Sequence, residues 1–177
     1  MKRVLVLGQA GAGKSHFAVA LGEITGLPVF HMDKVHWQPG WQERNKDEKV
    51  RLVQEIISGD EWIFEGGLSV TYPARMARAD TAIWLDLPLG VRARRILGRR
   101  WQYRGGRTRP DLPDNCPERL HPAFLRFLWR TRHSAREKIA QALALAGASH
   151  LTVHRIRTEN GADTFLDWLR DDIQDHG

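Results

Sequence analysis

The chain has 177 residues, with 27 Lys+Arg against 21 Asp+Glu, 42% apolar residues, 27% charged residues and one cysteine. These values describe one globular domain and exclude a disordered tail, while no stretch approaches the ~20 apolar residues of a membrane-spanning helix. The four-residue apolar run after Met1-Lys2-Arg3 is too short for a secretory leader, and the lone Cys116 has no second thiol to pair with, so a reducing cytoplasm is the expected compartment.

Residues 3–7 form a short apolar run rich in β-branched residues, which predicts a buried strand. It leads directly into Gly8-Gln9-Ala10-Gly11-Ala12-Gly13-Lys14-Ser15, which matches G-x-x-x-x-G-K-[ST]. Phe17, Leu21 and Ile24 then follow at helical spacing, giving strand, glycine loop and helix in sequence. Glycines at 8, 11 and 13 free the backbone to point several N–H groups, from Gly11 and Ala12 through to His16, at one anion. The helix N-terminus adds its partial positive charge; Lys14 reaches the β- and γ-phosphates, and the Ser15 hydroxyl suits Mg²⁺. ATP and Mg²⁺ are therefore the expected cofactors.

Val29-Phe30-His31 reads as a second strand, with Asp33 just beyond its end. Ligands of open α/β sheets bind outside the carboxyl ends of strands, so Asp33 either meets a substrate hydroxyl or metal-bound water there or caps its own turn. His31 and His36 lack a third ligand and are read as structural or substrate-facing. Trp37 to Trp41 predicts a turn whose aromatics either stack on a base or pack the following helix, which carries Val50, Val53 and Ile57. Trp62 to Gly67 is a third strand ending at Glu65 and two glycines; Thr81 to Asp86 is a fourth, also ending in an acid. Of Asp33, Glu65 and Asp86, one is expected to hold Mg²⁺ directly or through water, and the choice stays open.

Residues 87–110 contain eight arginines and no other charged residue, so they carry +8 while the rest of the +6 chain carries −2. Such a focused guanidinium cluster suits bidentate phosphate recognition, although a nucleic-acid backbone would also fit it. The predicted helix from Leu89 to Tyr103 runs into a Gly- and Pro-rich stretch, an expected lid around residues 102–120 that brings Arg107 and Arg109 to substrate. Helical patterning resumes from Glu118 to Leu145, a fifth strand is predicted at 151–156, and an amphipathic helix with Phe165, Leu166 and Leu169 closes the chain.

Three features carry a family likeness: the loop Gly8 to Ser15, the strand and turn Trp62 to Gly67, and Arg95-Ile96-Leu97-Gly98-Arg99-Arg100 ahead of the lid. Together they make the chain resemble the P-loop nucleoside monophosphate kinases. Within that superfamily it is similar to small bacterial adenylate-kinase-related proteins described as topology modulation proteins, through His31-Met32-Asp33, Trp37 to Trp41, Gly106 to Asp111 and Cys116-Pro117-Glu118. The resemblance implies a three-layer α/β/α fold, a five-stranded mainly parallel sheet and a single domain over 1–177. It implies transfer of the ATP γ-phosphoryl group to a small acceptor such as a nucleoside monophosphate. Arginines at the two ends of the lid clamp the transferring group in that family, which implies Arg95 and Arg99 here, with Arg130 or Arg136. Two departures stand out: Glu65 replaces the family's aspartate, and the arginine that follows it is missing, with Arg75 the nearest substitute. The alternatives are a nucleotide-dependent DNA- or RNA-binding protein and a kinase for a small alcohol or sugar acid.

Overall fold

The computed structural model of the chain describes residues 1–102, 110–116, 126, 129–131, 133–146 and 150–176. The first strand, β1 (Arg3–Gly8), has its four middle residues buried, and a strand buried on both faces needs cover above and below. Val4 and Val6 pack with Phe17, Ala18 and Leu21 of α1 (Lys14–Thr25), while Leu5 and Leu7 belong to the core on the opposite side.

The chain continues through β2 (Val29–His31), a short helix α2 (Met32–His36), a small antiparallel hairpin of β3 (Trp37–Gln38) and β4 (Gln42–Glu43), and α3 (Lys46–Ser58). Next come β5 (Trp62–Glu65), α4 (Tyr72–Arg78), β6 (Thr81–Leu85) and the arginine helix α5 (Leu89–Gln102). The closing elements are α6 (Ser134–Ala146), β7 (Thr152–Ile156) and α7 (Glu159–His176). Asn45 caps α3 by accepting from the Glu48 amide, and Gly26 ends α1 in the left-handed conformation.

Five strands form one sheet in the order β2-β5-β1-β6-β7, and every pairing is parallel. The residue alternation of β1 repeats on its neighbours. Ile63 and Ile83 join the α1/α7 side; Phe64 and Trp84 join the side covered by α2, α3, α4 and α6. The expected α/β/α layering is thus present. Because all strands run the same way, Gly8, His31, Glu65 and Asp86 reach the same edge of the sheet. The order turns at β1, with β5 and β2 on one flank and β6 and β7 on the other, which puts the loop after β1 at the switch point.

Asp33 lies in the first turn of α2 rather than in a bare turn, and the turn expected at Trp37 to Trp41 joins the two strands of a hairpin. Of the helix expected from Glu118 to Leu145, residues 126, 129 and 130 and the run Ser134–Ala146 are helical, Thr131 and His133 are in turns, and its other residues, with most of the lid, lie outside the described residues. No helix among the described residues is long and apolar enough to cross a membrane.

Candidate active site

The loop after β1 is shaped by its glycines. Gly8, Gly11 and Gly13 have φ of 153°, 80° and 88°, conformations that side-chain-bearing residues rarely take. A Cβ on Gly8 would lie 2.7 Å from the Leu85 carbonyl, so the loop also depends on closeness to β6. Gly13 caps α1 without a side-chain bond, which leaves the first-turn amides to an outside acceptor. The Lys14 ammonium curls back to the Gln9 carbonyl at 3.3 Å.

Helix α5 braces this loop. Arg92 Nη1 donates to the Ala10 carbonyl (3.3 Å) and Arg95 Nη1 to the Ala12 carbonyl (2.7 Å), while Arg95 Nε donates to Glu159 on α7 (3.0 Å). Arg94 pairs with the same glutamate. A peptide whose carbonyl is taken on one side presents its N–H on the other, so these arginines help turn the loop amides toward the cleft. Arg92, Arg95 and Arg99 also line that cleft.

Across the loop stands Glu65 at the end of β5, only 2% exposed. Its Oε1 accepts from Ser15 Oγ at 3.1 Å and lies 3.0 Å from His31 Nδ1. Asp33 lines the cleft beside it. The other two residues expected here are elsewhere. Asp86 is absent from the lining: Arg136 donates to both its oxygens (2.8 and 2.9 Å), and Arg155, stacked on Trp84, donates at 2.6 and 3.0 Å. Burial pushes the Asp86 carboxyl upward, but the hydrogen bonds from Arg136 and Arg155 outweigh it and hold the group below the usual range. Arg75 is fully buried under the site, donating to the carbonyls of Gly66 (2.9 Å) and Phe64 (3.2 Å) with its guanidinium over the Phe64 ring. Burial lowers its pKa to about 10. It braces the β5 turn from below and does not face a substrate. Arg107 and Arg109 lie outside the described residues.

The cleft measures about 1440 Å³, more than one small ligand needs and enough for a donor and an acceptor together. One wall is aromatic. Trp37 and Trp41 meet edge to face with centroids 5.2 Å apart, and Trp41 holds φ of 61° while its N–H donates to Cys116 Sγ at 3.3 Å. The Gly40 N–H donates to the Asp114 carbonyl, which ties the hairpin to residues 110–116. The facing wall includes Thr131, Ser134, Ala135 and Lys138. Lys138 belongs to no sequence motif; Arg136, expected at this place, is turned to Asp86, and Arg130 is exposed outside the lining. The signal for Lys138 was its spacing of four and three residues from Ser134 and Ala135, beside the apolar Ile139.

Residues 4–111 match the AAA domain family, and the chain belongs to it. It is 27% identical over 142 residues to a uridine kinase of Shewanella halifaxensis, covering 76% of this chain and 61% of that protein. The chain thus spans less than two thirds of that curated relative's length. Among solved structures it superposes on a shikimate kinase from Bacteroides thetaiotaomicron with a TM-score of 0.57 and 15% identity, covering 98% of each chain. It superposes on a deoxyadenosine kinase from M. mycoides with a TM-score of 0.52 and 14% identity, covering 95% of this chain and 98% of the other. The fold is that of the P-loop kinases.

Proposed function

We propose that this protein transfers the γ-phosphoryl group of Mg·ATP to a small acceptor. The observation that carries the reading is the pairing of Ser15 with the buried Glu65 carboxylate at the lip of a glycine loop. A hydroxyl and a carboxylate oxygen are hard donors, and Mg²⁺ is usually held by one or two such groups with substrate phosphates and water filling its shell. When bound, the ion would neutralise charge on the β- and γ-phosphates.

Amides from Gly11 to His16 cradle the phosphates, and Lys14 swings from the Gln9 carbonyl to the β/γ oxygens. Ser15 and Glu65 hold the ion, with His31 steadying the Glu65 carboxylate. Arg95 keeps the loop in shape, and Arg99 faces the transferred group. Asp33 orients the acceptor. Support for a hydroxyl acceptor comes from the similar proteins, whose names cite two nucleosides and a hydroxy acid. A nucleoside monophosphate remains in the same reading, with its phosphate as the acceptor.

The test is ADP release from Mg·ATP with uridine, deoxyadenosine, shikimate, gluconate, AMP, CMP, UMP or a short DNA duplex added, alongside Lys14→Ala. Saturable, Lys14-dependent turnover with one small acceptor is the expected result. Hydrolysis accelerated by DNA alone overturns the reading in favour of a nucleic-acid-dependent ATPase.

A further inference from the structure

The cations lining the cleft are mostly occupied by the protein itself. Lys14 contacts the Gln9 carbonyl, Arg92 and Arg95 hold loop carbonyls, and Arg99 is also partnered. Among the described residues, Lys138 is the lining cation with neither a hydrogen bond nor an ion pair. Its place is fixed from both sides. Ile139, 2% exposed, packs in the core that holds Leu5 and Leu7, so Lys138, the residue before it on α6, has its backbone anchored near the strand that feeds the phosphate loop. Ser134 and Ala135, at i−4 and i−3 from Lys138, line the cleft on the same face of α6, so the lysine lies on its cleft-facing stripe. Helix α1, which carries Lys14, covers one face of the sheet, and α6 covers the other.

We propose that Lys138 is a catalytic residue that contacts the phosphoryl group in transfer, from the face of the sheet opposite Lys14. This rests on the phosphotransfer reading above. In that reaction the bond from the γ-phosphorus to the β–γ bridging oxygen breaks, and its electron pair leaves with ADP. A bond forms from the same phosphorus to the acceptor oxygen, whose proton passes to solvent. Lys138 reaches from its exposed position on the cleft wall and supplies positive charge to the equatorial oxygens, whose contact with it forms in the transition state rather than in the ground state. The cation that α6 contributes to the cleft is therefore lysine, while Arg136 on the same helix serves Asp86.

The experiment compares wild type, Lys138→Ala, Lys138→Arg and Lys14→Ala in steady-state turnover of Mg·ATP, with the best acceptor from the panel above and with water alone. Tryptophan fluorescence gives Mg·ADP affinity for each. Because the Lys138 side chain has no partner among the described residues, Lys138→Ala should keep the wild-type far-UV circular dichroism and melting temperature. The expected result is a fall in kcat of about 10²-fold for Lys138→Ala, with both KM values and Mg·ADP affinity within about threefold, and partial recovery in Lys138→Arg. Unchanged kcat in Lys138→Ala overturns the proposal. So does unchanged kcat with a raised acceptor KM, which would make the amine a grip on the acceptor. Absence of Lys14-dependent turnover in the wild type is the distinct result that overturns the phosphotransfer reading itself, and the role of Lys138 with it.

Discussion

Ser15 Oγ donates to Glu65 Oε1 across 3.1 Å, joining the first turn of α1 to the end of β5, residues fifty positions apart in the chain. The contact exists because β5 pairs directly with β1, so the last residue of one strand stands beside the loop that leaves the other.

From this contact follows a prediction about metal dependence. Glu65→Gln keeps the volume but removes the charge and places a donor amide where a cation would sit. Calorimetric titration with nucleotide should show affinity for Mg·ATP reduced by about 30-fold, while affinity for ATP in excess chelator changes by less than about twofold. Equal affinity of wild type and variant for Mg·ATP would remove Glu65 from the metal-holding role.

Two loop glycines should respond very differently to alanine. A Cβ at Gly11 would lie 2.7 Å from the Arg92 carbonyl and 2.7 Å from Ile96 Cδ1, so α5 itself would have to move. A Cβ at Gly13 meets only the far end of Arg95 at 2.7 Å, which can swing aside. Both positions have positive φ, which costs alanine about 1–2 kcal/mol. Urea denaturation should therefore show a loss of about 3 kcal/mol or more for Gly11→Ala and about 1–2 kcal/mol for Gly13→Ala. Equal losses would mean that α5 does not press on the loop.

The Asp86 cluster predicts a pH-dependent stability. The carboxyl is depressed in the folded protein, so its contribution is fully present above the unfolded carboxylate value of about 4 and is lost as pH falls through the lower folded value. Asp86→Asn strands two guanidinium groups, but Arg136 is half exposed and Arg155 one-third exposed, so water screens both. The expected cost is about 2 kcal/mol at pH 7, below that of a fully buried pair, and it should shrink in urea titrations carried out below about pH 4. A gap that is constant with pH would assign the loss to packing.

How much of this was legible beforehand follows from the range of the interactions involved. The loop from Gly8 to Ser15 and its flanking strand and helix are specified by neighbouring residues, and the structure forms them where the pattern puts them. Glu65 and Asp86 looked equivalent as acids at strand ends. Both strands border β1, and what separates the two acids is that Arg136 and Arg155 arrive from distant elements to surround one of them. Arg75 resembled a substrate arginine because a sequence shows charge and not direction; the turn of α4 points it at the carbonyls of Phe64 and Gly66. Arg136 and Lys138 differ by two positions, about 200° around a helix, and only packing of α6 decides which faces the cleft.

Trp41 is the last case, since its backbone is strained where glycine would not be. A bulky residue at φ of 61° costs about 1 kcal/mol or more, and such outliers concentrate where a side chain serves a ligand. The strain is held by the bond from its N–H to Cys116 Sγ and by the edge-to-face contact with Trp37. Glycine at this position removes both the strain and the ring, whereas alanine removes the ring and keeps the strain. If the ring stands there to pack an acceptor, Trp41→Gly should retain a melting temperature within about 3 °C of wild type yet raise the acceptor KM by about tenfold or more, with the KM for ATP unchanged. Trp41→Ala should show the same kinetic defect with a lower melting temperature. A fall in melting temperature for both variants, with acceptor KM untouched, would make Trp41 a packing residue of the hairpin.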